Sequence, residues 1–256
     1  MGWRSTGPAA MRTFGFPKAA DPPISSFPND TQLKLHSDHS IAKSGDVDAA
    51  LRLVRALTNP STVAEAGRRF GSGVIYVPVI AQEASGRNKL PEVLAHTYAL
   101  STGALVCDDI VQSTCAYHTG ARPVERLISR PLFDGAVEHG RRYVLVDDVS
   151  VMGGTLAELA NHVISGGGVV VGTVMLVNAS RTRVLSAKDE LLKKVDVRHG
   201  EIVREQFGIE PAALTASEAR YLLNFKNADQ LGVAIAKAGS ERNKRLLAKG
   251  IGAPEV

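Results

Sequence analysis

Apolar positions along this 256-residue chain change period several times, and each change predicts an element. From Asp46 onward Val47, Leu51, Val54 and Leu57 recur at helical spacing, predicting an amphipathic helix. Asn59-Pro60 breaks it, and a second short helix follows, ending near Phe70. Residues 73–80 (GVIYVPVI) form an almost unbroken apolar run, the pattern of a strand buried on both faces. A polar loop, AQEASGRNK, separates it from a helix expected between Pro91 and Ser101 and a short strand at Ala104-Leu105-Val106. A further buried strand, Tyr143 to Val146, ends in two carboxylates, Asp147 and Asp148. The chain then turns at Gly153-Gly154-Thr155 and resumes helical spacing through Leu156, Leu159, Ala160 and Val163, before a last strand from Val169 to Val177. Strands alternating with helices predict an α/β fold, a doubly wound parallel sheet with a Rossmann-like core.

The flanks read differently. Up to about Asp30 the chain is rich in Pro, Gly and Ser, so residues 1–40 are expected as an N-terminal arm, partly flexible. Residues 41–180 form the expected core, and 181–256 a charged, helical C-terminal extension. Within that extension Thr215-x-x-Glu218 predicts a capping box, a further helix is expected from Asp229 to Ala238, and the tail GSERNKRLLAKG is basic. From Cys107 to about Phe133 no period is visible, which marks a functional lid or a disordered loop.

Composition bounds the function. With 44% hydrophobic residues the chain can build a sizeable core. A formal charge of +4 suits an anionic substrate but is too small to imply nucleic acid by itself. Cys107 and Cys115 make neither a disulfide framework nor a zinc pattern, so a reducing, cytoplasmic location is expected. No apolar run is long enough to span a bilayer, and the first twenty residues lack the apolar stretch of a secretory leader.

Strand, acidic pair, glycine turn and helix, in that order, build a phosphate site. The turn presents backbone N–H groups at a helix N-terminus, where the helix dipole favours an anion. Carboxylates at the strand end suit sugar hydroxyls and a hydrated magnesium ion. A single Asp would suffice for a helix cap, and the spacing from Asp148 to Gly153 is too long for one.

The string VLVDDVSVMGGT resembles the phosphoribosyl-diphosphate (PRPP) signature of the type I phosphoribosyltransferases. The resemblance covers roughly residues 70–180. It implies that the loop of Ser150, Val151, Met152, Gly153, Gly154 and Thr155 cradles the 5′-phosphate. It places Asp147 and Asp148 near the ribose hydroxyls and a magnesium-bound water. The loop after the first core strand, with Glu83, Arg87, Asn88 and Lys89, falls where that family holds pyrophosphate. The segment TGARPVERLISRPLFDG falls at the family's lid, where Arg122, Arg126 and Arg130 are the cations available to the departing diphosphate; the resemblance implies Asp147, Asp148, Arg126 and Arg130 as catalytic residues, with Asp147 and Asp148 also holding the magnesium. Two departures stand out: Val151 occupies a position that is acidic in 6-oxopurine enzymes, and Met152 one that is often Thr.

The activity so implied is magnesium-dependent transfer of 5-phosphoribose from PRPP to a nitrogenous base, with a homodimer as the family's usual assembly. Acceptor recognition there comes from variable terminal segments, so the base stays unnamed. A PRPP-sensing regulator with a basic C-terminus that binds nucleic acid or a partner is the alternative. A dehydrogenase is disfavoured, because no GxGxxG opens a helix after the first strand. Asp108-Asp109 precedes no glycine turn and reads as solvated lid charge, His36 and His39 as structural or surface groups, and Cys115 as an inert thiol.

Overall fold

The computed structural model describes residues 11–83, 86–114 and 121–248. Strand β1 (Ile24–Phe27) precedes two short helices, α1 (Thr31–Leu35) and α2 (His39–Lys43). Helices α3 (Val47–Leu57) and α4 (Pro60–Phe70) follow, then strand β2 (Val74–Pro78). A two-stranded ribbon, β3 (Gln82–Glu83) and β4 (Gly86–Arg87), leads to α5 (Leu90–Thr102) and β5 (Leu105–Val106). A second ribbon pairs β6 (Val111–Gln112) with β7 (Phe133–Asp134) on either side of α6 (Pro123–Ile128). The motif region supplies β8 (Arg142–Ser150), α7 (Gly154–Ser165) and β9 (Val169–Asn178). Helices α8 (Asp189–Phe207), α9 (Ala216–Leu222) and α10 (Ala228–Ala248) complete the chain, with ten α-helices among the described residues.

Five strands form one parallel sheet in the order β1-β9-β8-β2-β5, a mixed α/β architecture consistent with a Rossmann-like core. The helix-to-strand steps match their local chemistry. The Asp46 side chain accepts from Ala49 N to cap α3, and Asn59 caps α4 with Pro60 at its first position, which is why the apolar spiral breaks there. Thr215 and Glu218 cap each other's backbone at α9 as the sequence predicts.

Side chains alternate across the sheet and define two layers. Tyr76, Val144, Val146, Val174 and Leu176 pack with α3, α4 and α5 through Leu53, Phe70, Leu94 and Tyr98. Ile75, Val77, Tyr143, Leu145 and Met175 pack instead with α7 through Leu156, Leu159 and Val163. A third cluster joins α6, α8, α9 and α10 around Leu127, Val195, Val203, Phe207, Leu222 and Leu231.

Three expectations change. The N-terminal segment is built into the molecule: β1 is an edge strand paired with β9, and Phe16 and Ala20 are buried beside α7. Its prolines punctuate an edge strand, where a missing N–H costs no ladder bond. The arginine-rich segment, expected as a lid without periodicity, contains α6, whose Leu127 is buried in the C-terminal cluster. Six helical residues are too few to show a 3.6 period. Finally, β8 runs on through the acidic pair to Ser150. Beyond Val146 it pairs with β9 alone, because its last partner on the other side is Pro78 of β2.

Candidate functional site

That one-sided pairing places the acidic pair. The connection from β2 through α5 leads to β5 on one side, while β8 through α7 leads to β9 on the other. The winding reverses between β2 and β8, and open parallel sheets bind ligands in the crevice at such a reversal. Asp147 and Asp148 project past the end of β2 into this crevice.

Adjacent strand residues face opposite layers, and the pair divides accordingly. Asp148 meets Lys43 of α2, whose Nζ lies 3.2 Å from its Oδ2, and Asn88, whose Nδ2 donates to the same oxygen at 3.3 Å. Asp147 lines a solvent-open cleft of about 470 Å³ on the α7 side. The electrostatics diverge too. Burial pushes the Asp147 carboxyl well above the ordinary carboxylate range, and the Asp148 charge adds to the rise. Burial acts on Asp148 in the same sense, but the Lys43 ammonium and the Asn88 amide outweigh it and hold that carboxyl below the ordinary value.

The same cleft is lined by the whole expected phosphate loop, Ser150 through Thr155, and by Arg126 and Arg130. Gly153 adopts φ +76°, a left-handed conformation that favours glycine, and forms the N-cap of α7. A Cβ on Gly153 would collide with Leu185 Cδ2, and one on Gly154 would sit 2.8 Å from Glu218 Oε1. The loop is thus closely backed by the C-terminal segment. Thr215 Oγ1 reinforces this by donating to Met152 O at 2.7 Å. Ser150 is 3% exposed, and its hydroxyl has no hydrogen-bond partner among the described residues. The first amides of α7 begin beyond this hydroxyl, with no side-chain cap.

Other expected site residues fall elsewhere. Asn88 is buried and joins the acidic pair as described, and its Oδ1 also accepts from Leu90 N. Arg87 and Lys89 both pair with Glu92 in the first turn of α5, each at 2.8 Å, so their charges are spent on that carboxylate. The Glu83 side chain lies outside the described residues, as do residues 84–85 of that loop, residues 119–120 of the arginine-rich segment, and Cys115. Arg122 pairs with Glu241 of α10 at 3.0 Å on the exposed side of α6 and does not line the cleft. Arg126 lines it and donates from Nε to Ala121 O at 3.1 Å. Arg130 is buried: its Nε donates to Glu158 Oε1 at 2.7 Å and its Nη1 to Phe207 O at 2.8 Å. It is therefore a brace between α7 and the end of α8 as well as part of the cleft wall.

Sequence patterns left four residues unflagged. Lys43 ends a five-residue helix with no readable period. Arg12 is wholly buried, with Nη2 2.6 Å from Glu218 Oε2 and Nη1 3.4 Å from Glu158 Oε1. Glu158 lies four residues after Gly154, so helical spacing alone puts it on the loop's side of α7. Burial raises its carboxyl against the pull of Arg12 and Arg130. Glu218 was visible only as a cap.

Among the described residues no group of three His, Cys, Asp or Glu side chains could hold a metal ion, and no helix is long and apolar enough to cross a membrane. Part of the basic C-terminal tail is turned inward: Arg245 of α10 pairs with the buried Glu125 of α6.

No family model matches the chain. It is 34% identical over 219 residues to protein TraN of Escherichia coli, covering 84% of this chain and 49% of that protein. It is 32% identical over 130 residues to an uncharacterized protein of Haemophilus influenzae, covering 50% of this chain and 29% of that protein. The chain therefore spans about half, or less, of the length of the curated relatives it matches. Among solved structures it is similar to Leishmania donovani UMP synthase, with 15% identity, a TM-score of 0.30, and coverage of 68% of this chain and 35% of that one.

Proposed function

We propose that this chain is a phosphoribosyltransferase, moving 5-phosphoribose from PRPP to a nitrogenous base with release of pyrophosphate. One observation carries the reading: a glycine-opened helix N-terminus, a buried unpartnered Ser150 hydroxyl and the Asp147 carboxyl line one cleft where the sheet's winding reverses. In this reading the amides from Met152 to Thr155 and the Ser150 hydroxyl take the 5′-phosphate. Asp147, and Asp148 held ionised by Lys43, lie toward the ribose hydroxyls. Arg126 lines the wall along which the diphosphate leaves. Catalysis of this kind rests on positioning and on stabilising the leaving charge.

The residues fit magnesium as an ion brought in by the substrate. Magnesium commonly keeps several waters and binds through one or two carboxylates plus substrate phosphates. Asp147 would supply one such carboxylate from the cleft wall. Bound there, the ion would neutralise diphosphate charge.

A second reading has its own observation. Arg122 and Arg130 are both tied into ion pairs with α10 and α7, and the C-terminal segment is docked on the phosphate loop. That arrangement suits a protein that senses PRPP and passes its occupancy to the C-terminal helices. One experiment divides the two. The protein is incubated with magnesium, PRPP and a panel of nucleobases, and pyrophosphate is assayed alongside calorimetric binding. Base-dependent pyrophosphate release supports the transferase. Binding without release supports the sensor, and no heat with PRPP sinks both.

A further inference from the structure

The β8–α7 loop lines the cleft, and beside it stands a group from far away in sequence. The N-terminal segment is pinned by its backbone: Arg12 N donates to Gly208 O and Glu210 N donates to Arg12 O, both at 2.9 Å. This bridge carries the Arg12 side chain between α7 and α9, where it lines the cleft with no exposure to solvent. Glu218 holds Nη2, while Glu158 and Gly154 O lie 3.4 Å from Nη1. The Nε–H of Arg12 is left without an acceptor among the described residues, as is the hydroxyl of Ser150 in the same cleft.

We propose that Arg12 is a ligand of the phosphate group: its guanidinium completes, from outside the β8–α7 motif, a cradle for a phosphomonoester. The proposal rests on the assignment of that loop to the 5′-phosphate. A buried donor left without an acceptor is costly, so two in one cleft call for an acceptor from outside the chain. A phosphomonoester offers three strong acceptor oxygens, enough for Arg12, Ser150 and the loop amides together. Arginine suits the task better than lysine, because two of its nitrogens stay on carboxylates while the third reaches the ligand.

Calorimetry with ribose 5-phosphate, inorganic phosphate and unphosphorylated ribose tests the assignment in wild type, Arg12→Lys and Glu218→Gln. Wild type should bind both phosphate-bearing probes and not ribose. Arg12→Lys should weaken them by roughly tenfold or more, the scale of one hydrogen bond to a charged group. Glu218→Gln breaks the same ion pair while keeping the capping box, and removes a negative charge beside the loop, so it should bind as tightly or more tightly. Equal loss in both variants would reduce Arg12 to a brace and overturn the proposal, as would an unaffected Arg12→Lys. If wild type binds neither phosphate probe, the cradle and the ligand role of Arg12 both fall. If both probes bind but PRPP is not turned over, only the transferase reading falls. Should Arg12→Lys fail to fold, the wild-type Nε–H resonance of Arg12 decides: it should move downfield on titration with ribose 5-phosphate, and a stationary signal overturns the proposal.

Discussion

On the α5 side of the sheet, the end of β8 is electrically finished: Asp148 meets an ammonium and an amide, both supplied by the chain. On the α7 side, one residue earlier, Asp147 lines a cleft whose buried Ser150 and Arg12 each hold a donor without an acceptor. The two carboxylates are adjacent and almost equally buried, at 8% and 5% exposure, so burial does not distinguish them. Partners do. Asp148 has a counter-charge and a side-chain amide, whereas Asp147 accepts from the Asp148 N–H at 2.9 Å and lines the cleft. The acidic pair is therefore not a symmetric claw, and its members should answer mutation differently.

The largest effect should come from Gly153→Val, which attacks the unfinished side through the backbone. Gly153 is at φ +76°, and its missing Cβ faces Leu185 and Thr215 rather than open cleft. A β-branched residue there meets both left-handed strain, of order 1–3 kcal/mol, and a collision with the C-terminal segment. The expected result is loss of PRPP binding by calorimetry together with a clearly lowered unfolding midpoint. A variant that lost binding at undiminished stability would mean the side chain blocks the anion directly.

Next come the carboxylates themselves. Asp148→Asn removes the charge opposite Lys43, and breaking a buried pair costs up to ~3–5 kcal/mol. Lys43 is 22% exposed, so solvent softens the loss to roughly 2 kcal/mol. Asp147→Asn should leave neutral-pH stability unchanged or higher, because it relieves a buried, uncompensated acid, while abolishing PRPP-dependent turnover. Melts across pH separate them by sign. The folded-state value of Asp148 is depressed, so its contribution is present above about pH 4 and lost as pH falls through that depressed value. Asp147 is raised, so the fold loses stability as pH climbs from about 4 through its elevated value, and Asp147→Asn should flatten that slope. Identical pH profiles for both variants would erase the difference between the two faces.

Much of this asymmetry was hidden in the sequence, for physical reasons. Strands β2, β5, β8 and β9, helices α3, α4 and α5, and the β8–loop–α7 unit were legible because each is a local apolar pattern bounded by Pro, Asn or Gly. The Asp pair, the glycine turn and the capping box at Thr215 were legible for the same reason. Lys43 and Arg12 were not, because their roles arise from pairings over more than 100 residues of sequence, with Asp148 and Glu218. The division of the pair between faces was half legible: adjacency in a strand implies it, once β8 is known to continue past Val146. The burial of Arg130 required knowing that α6 docks on the C-terminal cluster, which no local period announces.

The smallest expected effect sharpens the comparison by testing its outer edge. Arg122→Ala removes an exposed pair with Glu241, the arginine itself being 68% exposed, and such pairs contribute about 0–1 kcal/mol. Stability should therefore shift by no more than a few tenths of a kcal/mol, and PRPP affinity should stay within roughly twofold, the noise expected of a surface contact. Arg126→Ala, one turn further along α6, removes a cation from the cleft wall and should weaken PRPP binding visibly in the same assay. The contrast is diagnostic because Arg122 is the N-cap of α6 and Arg126 lies within it, so any general loosening of α6 would affect them alike. If Arg122→Ala instead abolished turnover, α6 would have to leave α10 on binding and carry Arg122 inward, and the arginine-rich segment would be a moving lid rather than a fixed wall.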